Sequence, residues 1–200
     1  MSLKVAVMIV LLGLLESVAA MAQTVPPPTQ ERLLFLMPAG EWEAGVVQQA
    51  ANVTMTEYVP KGQTLQAWSR MTTTQTVTGT KATAEQFLSV MFNGFKARAR
   101  CENGDAKAFR SEPANGYPSV LGVLICPTYK GATFGEYTMI KVIGGQDAVH
   151  VIQRAWRGPA YASGATMPFS AEEGREWIDY LGKISVCDPR DPAHPCPAAP

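Results

Sequence analysis

Four cysteines and two histidines are the residues of this chain whose types could most readily do chemistry. Cys101, Cys126, Cys187 and Cys196 are even in number. A four-cysteine metal site needs C-x-x-C pairs or histidines alongside. No C-x-x-C spacing occurs, and no histidine sits near Cys101 or Cys126. No metal site and no cofactor is therefore expected. In an exported chain an even set reads as disulfides. Three pairings are open. Short loops favour Cys101–Cys126 and Cys187–Cys196, worth roughly 3.5 and about 2.7 kcal/mol on a chain-entropy estimate.

His150 and His194 are the histidines. A Ser-His-Asp or Cys-His enzyme must use one of them. Asp147 lies near His150 in sequence, but no G-x-S-x-G-like turn exists to present a serine. His150 reads as a residue on a strand face. His194 reads as a structural or exposed group between prolines. Glu172-Glu173 has the composition of a glycosidase pair, but adjacent carboxylates opening a helix serve its dipole and cap. Gly144-Gly145 is too short for a phosphate loop and reads as a hairpin turn. Asn52-Val53-Thr54 is a glycosylation acceptor only on a eukaryotic secretory route. No catalytic residue is assigned.

The tryptophans give the one recognition pattern. Trp68 has Arg70 two residues on, and Trp156 is flanked by Arg154 and Arg157. Such an aromatic and basic set can form a binding surface. The weightier reading of each ring is an anchor of its element to the core. Trp177 reads as core outright.

These residues must be positioned by a chain that begins with an export signal. Lys4, the apolar run Val5 to Leu15 and Ala20-Met21-Ala22 before Gln23 match a secretory signal peptide. The run is too short for a membrane span of about 20 residues. No cysteine lies near the cleavage site, which argues against a lipid anchor. Residues 23–30 form a proline-rich linker, 31–185 a single domain, and 186–200 a tail rich in proline and cysteine. Removing residues 1–22 from the 200 leaves 178, enough for a sizeable core. Lys4 and Glu16 leave with the signal, so charges stay balanced. Nothing favours nucleic acid as a partner. No transmembrane segment is expected after cleavage. The expected location is periplasmic or secreted.

Within the domain, Glu31 to Met37 reads as a first strand. Trp42 to Gln49 and Asn52 to Val59 read as an antiparallel pair. In the second, Val53, Met55 and Val59 share a face that Glu57 interrupts. Thr64 to Arg70 has room for one or two helical turns. Met71 to Thr78 alternates, with a threonine row suited to the watered face of a strand. Thr83 opens a capping box for a helix reaching about Arg100, or stopping near Asn93-Gly94. Lys96, Arg98 and Arg100 suit its C-terminal end. Four strands follow: Ala106 to Ser111, Ser119 to Cys126, Gly135 to Ile143 and Ala148 to Arg157. The second is apolar on both faces and is expected to be central. A helix from Ala171 to about Ile184 is capped by Ser170, with Trp177, Leu181 and Ile184 inward. The order implies α+β: an antiparallel sheet with helices packed on one face, in a single domain.

The string EYVPKGQTLQAW followed by SRMTTTQ resembles a group of exported bacterial proteins without assigned function. Their traits are an EY-x-P segment, W-x-x-M and a threonine-rich strand. Their tails carry C-x-x-R…HPC, here Cys187, Arg190, His194, Pro195 and Cys196. The layout is similar to the Mog1/PsbP-like α+β sandwich, an adaptor fold. The resemblance spans about residues 31–196. It implies a bacterial periplasmic setting and no catalytic residue. The expectation is an exported non-catalytic binding or accessory module for a protein or envelope component. The alternatives are a hydrolase with a scattered site and a carrier of a small apolar ligand.

Overall fold

The computed structural model describes residues 30–98, 101–162 and 169–197. The expected signal peptide and almost all of the linker lie outside them, as do Arg100 and the side chains of Lys96 and Arg98. The first strands are β1 (Arg32–Leu34), β2 (Trp42–Ala50), β3 (Val53–Pro60) and β4 (Arg70–Thr78). Helix α1 spans Ala84–Arg98. Then come β5 (Cys101–Glu102), β6 (Asp105–Ser111), β7 (Ser119–Cys126), β8 (Thr128–Tyr129), β9 (Phe134–Gly144) and β10 (Ala148–Pro159). Helix α2 is Ala171–Gly182 and β11 is Ser185–Cys187. Seven strands make one sheet in the order β2-β3-β4-β10-β9-β7-β6, every neighbour antiparallel. Two small pairs, β1 with β11 and β5 with β8, stand beside it. This is the α+β class that the element order implies.

Alternation along the strands sorts the core into two layers. Val120, Ile140, Val142, Val149 and Val151 meet Ala84 and Leu88 of α1. Leu121, Val123, Met139, Ile143 and Ile152, of the opposite parity, meet Trp177 and Leu181 of α2 and Ile184 just beyond it. The helices thus cover opposite faces, where one shared face was expected. The physical reason is that β7, β9 and β10 are apolar on both sides, and each side needs cover. Cover on both faces does not place β7 at the middle of the sheet, where it was expected. It lies second from the edge, and β10 is the middle strand. Helix α1 sits low over β7 because residue 122 is glycine. A Cβ there would come within 2.8 Å of Phe92 and 2.9 Å of Leu88.

Both helix starts follow their sequence signals. Gln86 N donates to Thr83 Oγ1 at 3.2 Å, and Thr83 N to Gln86 Oε1 at 2.9 Å. Helix α1 runs on through Gly94, because Phe87, Met91 and Phe92 remain packed on the sheet. Ser170 Oγ accepts from Glu173 N at 3.0 Å. The Glu173 carboxylate binds Arg70 instead of completing the box. At the other end of α2, buried Lys141 donates to Ile184 O at 2.7 Å and Gly182 O at 3.3 Å. A cation there suits the helix dipole and satisfies terminal carbonyls.

Three expectations differ locally. Thr64 to Arg70 is not helical. Thr64 and Ala67 exchange backbone hydrogen bonds, and Gln63 holds Ser69 N at 2.7 Å. So short a segment does not repay helix nucleation. The threonine row of β4 faces water only in part, with Thr74, Thr76 and Thr78 half-buried. It shares the α2 face, where Thr72 is fully buried and Thr76 Oγ1 meets His150 Nδ1 at 3.2 Å. Val186 does not begin an irregular tail, since it is buried within β11 and pairs with Leu33. The disulfides join Cys101 to Cys126 and Cys187 to Cys196, as the short-loop argument predicts.

The N-terminal segment is fixed by Glu31. Its carboxylate is buried at the β9–β10 turn and accepts from the backbone N–H groups of Gln146, Asp147 and Ala148. His150 Nε2 lies 3.3 Å from the same carboxylate, and the Tyr117 hydroxyl is directed to it. Burial alone would raise the Glu31 pKa. Hydrogen bonds from His150 and the Gln146 backbone, with the Tyr117 hydroxyl close by, overcome it and hold the group below the ordinary carboxylate value. A depressed carboxylate contributes stability above its ordinary pKa and loses it as pH falls through the folded value. Glu31→Gln should therefore destabilise the protein at pH 7 by about 3 kcal/mol. In thermal melts against pH, the gap between variant and wild type should narrow on acidification below about pH 4.

Candidate functional site

On the α1 face the apolar floor ends partway along the central strands. Register aligns Glu57 of β3 with Thr73 of β4, Thr73 with Gln153 of β10, and Gln153 with Ile140 of β9. The next row of that face is Met71, Ala155 and Thr138, and beyond it Arg157 pairs with Glu136. The β3–β4 connection closes one side with Leu65 and Trp68. All of these residues except Ile140, together with Met55, line a concavity of about 320 Å³. That is the lower end of the size range of small-molecule sites.

The polar groups of this basin fall into two kinds. Glu136 and Arg157 are already matched. Arg157 Nε donates to Glu136 Oε1 at 2.7 Å, its Nη1 donates to Gln66 O at 3.1 Å, and its guanidinium lies 4.0 Å from the Trp68 ring centre. Tyr129 donates to Glu136 Oε2 at 2.9 Å. The side chains of Glu57, Thr73, Thr138 and Gln153 have no hydrogen bond or ion pair among the described residues. Four unpartnered polar groups converge on one hollow over the middle of a sheet. Partial burial raises the Glu57 pKa, and no cation or donor offsets it.

The residues singled out by the tryptophan pattern are divided between the two faces. Trp68 and Arg157 belong to the basin. Arg70, Arg154 and Trp156 lie on the opposite face under α2. There the Arg70 guanidinium is 5.8 Å from the Trp156 ring and 5.9 Å from Trp177. Arg154 lies 5.2 Å from the rings of Trp177 and Tyr180 and 5.6 Å from Trp42. Desolvation lowers its pKa. The five do not form one surface. Trp68 and Trp156 are 8% and 7% exposed, so both rings anchor the core.

The histidines are spoken for. His150 is 1% exposed, between Glu31 and Thr76. His194 stacks on Tyr117 with ring centres 3.6 Å apart, and its Nδ1 donates to Asn115 O at 2.7 Å. It rests on the Asn115-Gly116 turn, where both residues take positive φ. Arg190 binds Asp188 and reaches Asp147, holding the Asp188 carboxyl at about 2. The C-x-x-R…HPC residues thus fasten the tail to the body. Among the described residues, no group of three His, Cys, Asp or Glu side chains could hold a metal ion, and no helix is long and apolar enough to cross a membrane.

Sequence reasoning assigned no role to Glu57, Thr73, Thr138 or Gln153. The signal was present in part, since Glu57 breaks an apolar face. Its meaning depends on strand register. Compared with known proteins, the chain matches no family model and no curated protein.

Two stability measurements follow. Trp156→Ala removes a ring on the middle strand and should cost about 3–5 kcal/mol, seen as a fall of roughly 10 °C in Tm. An unchanged melt would show that the ring is not core. Glu57→Gln should act in the other direction. A raised carboxyl pKa favours folding below the ordinary value, and that contribution is lost as pH rises through the folded value. At pH 7 the variant should melt higher, by about 2 °C. The difference should vanish below about pH 4, where both side chains are neutral.

Proposed function

We propose that the protein is an exported, non-catalytic binding module of the cell envelope or periplasm, and that it binds in the β3–β4–β10–β9 basin. The observation that carries this reading is the set of four unpartnered polar side chains facing an open hollow. Central strands normally present apolar residues there, as these strands do under α1. The two disulfides fit an oxidising compartment outside the cytoplasm. The N-terminal sequence supports secretion, and the family resemblance supports the bacterial periplasm. A hydrolase routed through His150 would need solvent at a residue that is sealed by Glu31 and Thr76.

The test is affinity capture from the organism's own envelope extract, using residues 23–200. Thr138→Arg fills the basin floor with a long cation and should abolish capture while Tm stays within a few degrees. A component still captured by Thr138→Arg would show that the basin is not the site. Turnover of an ester, phosphate or glycoside panel that disappears in a basin variant would overturn the non-catalytic reading.

A second reading, a carrier of a small apolar ligand, has one observation in its favour. A groove of about 840 Å³ lies between α2 and residues 33–39, lined by Leu33, Phe35, Leu36, Met37, Tyr180 and Ile184. Mass spectrometry of an organic extract of the purified protein should reveal a bound apolar molecule if this reading holds.

A further inference from the structure

We propose that the basin binds a small aliphatic primary amine, with its ammonium on the Glu57 carboxylate and its methylenes against Met71 and Leu65. This inference rests on the binding-module reading and specifies its ligand.

The charges of the basin decide the sign of the ligand. Its ionisable side chains are Glu57, Glu136 and Arg157. Arg157 is committed to Glu136, to Gln66 O and to the Trp68 ring. It has no free fork to offer a carboxylate or phosphate, which would also face two glutamates. The charge left without a partner is that of Glu57. A cation placed there would relieve the desolvation that its carboxylate now bears, whereas a neutral polyol would not.

Hydrogen-bond geometry narrows the class. An alkylammonium has three N–H donors. Glu57, Thr73 and Gln153 present three acceptors in one register row across three adjacent strands. Strands in a sheet lie about 4.8 Å apart, and the longer Glu and Gln side chains flank the short threonine. A quaternary ammonium would instead want open aromatic faces. The one ring of the basin, Trp68, already has Arg157 over it. The apolar part of the lining then suits an unbranched chain. Met71 and Ala155 form the floor on one side of the polar row with Leu65 packed against them, and Met55 stands on the other side.

The experiment is an NMR titration of ¹⁵N-labelled residues 23–200 with 1,5-diaminopentane, with 1,5-pentanediol and glutarate as neutral and anionic isosteres. The expected result is saturable shifts at the Gln153 side-chain amide and the Thr73 and Thr138 backbone amides with the diamine alone. Glu57→Gln should weaken that binding by about tenfold or more, the loss of a charge-assisted contact. This variant is expected to melt no lower than the wild type, and its amide spectrum checks that the comparison is between two folded proteins. Equal binding of the diol, or undiminished diamine binding by Glu57→Gln, would overturn the amine assignment. Absence of basin shifts at millimolar diamine would overturn it as well. The module reading fails separately, through extract capture that survives Thr138→Arg.

Discussion

A single buried carboxylate links the segment around β1 and the segment around β11 to the sheet. Glu31 sits where β9 turns into β10 and takes three backbone N–H donors of that turn. A charge so deeply placed is tolerated only when it is fully hydrogen-bonded, because an unpaired one would lose several kcal/mol of hydration. Satisfying it fixes the entry of β1. That in turn gives β11 a partner, and β11 ends in Cys187. The tail then returns over the same spot. Arg190 reaches Asp147 of the turn, and His194 covers Tyr117, whose hydroxyl is directed to Glu31. The Cys187–Cys196 link closes over this cluster. Residues far apart in sequence thus share one polar centre, and His150 is spent inside it.

With that end of the sheet locked, the two helices determine what the rest is available for. Helix α2 lies over the middle of one face and encloses Arg70, Arg154 and Trp156 with its own Trp177 and Tyr180. Those cations are held by rings and by Glu173, so the face is closed. Helix α1 crosses the other face toward β7 and leaves the β4–β10 region open. The strand composition matches the footprint. Under the helix the positions are Val142, Val149 and Val151. Beyond it they are Thr73, Thr138 and Gln153. The basin is therefore written into the strands and is not a packing gap.

The legibility of this arrangement tracks the range of the interactions involved. The caps at Thr83 and Ser170 and the hairpin at Gly144-Gly145 are local and were readable from neighbouring residues, and the cysteine pairings were readable by preferring the shorter loops, with separations of 25 and 9 residues. Sheet order was not, because alternation in β7 reports two covered faces without saying by what. The same strand pattern is compatible with a central position or with one beside the edge. Helices on one face and on two faces differ only in the parity of their partners, which a single strand does not reveal. Trp68 and Trp156 were read correctly as anchors. That Arg154 and Arg157, three residues apart, would point to opposite faces follows from strand period two, but their two environments depend on α2 and on the β3–β4 connection. Glu57 stood out as an interruption. Thr73 and Gln153 did not, since polar residues on a strand are ordinary until the strand proves central.

Glu57 also separates a structural explanation from a functional one. Glu31 is buried and Glu57 half-buried, and the protein treats the two glutamates in opposite ways. Around Glu31 it supplies donors from the turn and from His150, and the carboxylate is held ionised. Around Glu57 it supplies none, although Arg157 stands in the same basin and is turned to Glu136. A fold selected for stability alone would place an apolar or hydrogen-bonded residue at 57, as it does at Val53 and Val59 on the same strand face. Sites that bind or react are where such local penalties persist. The missing partner of Glu57 is thus the strongest single reason to locate function in this basin, and its negative charge is the reason to look for a cation there.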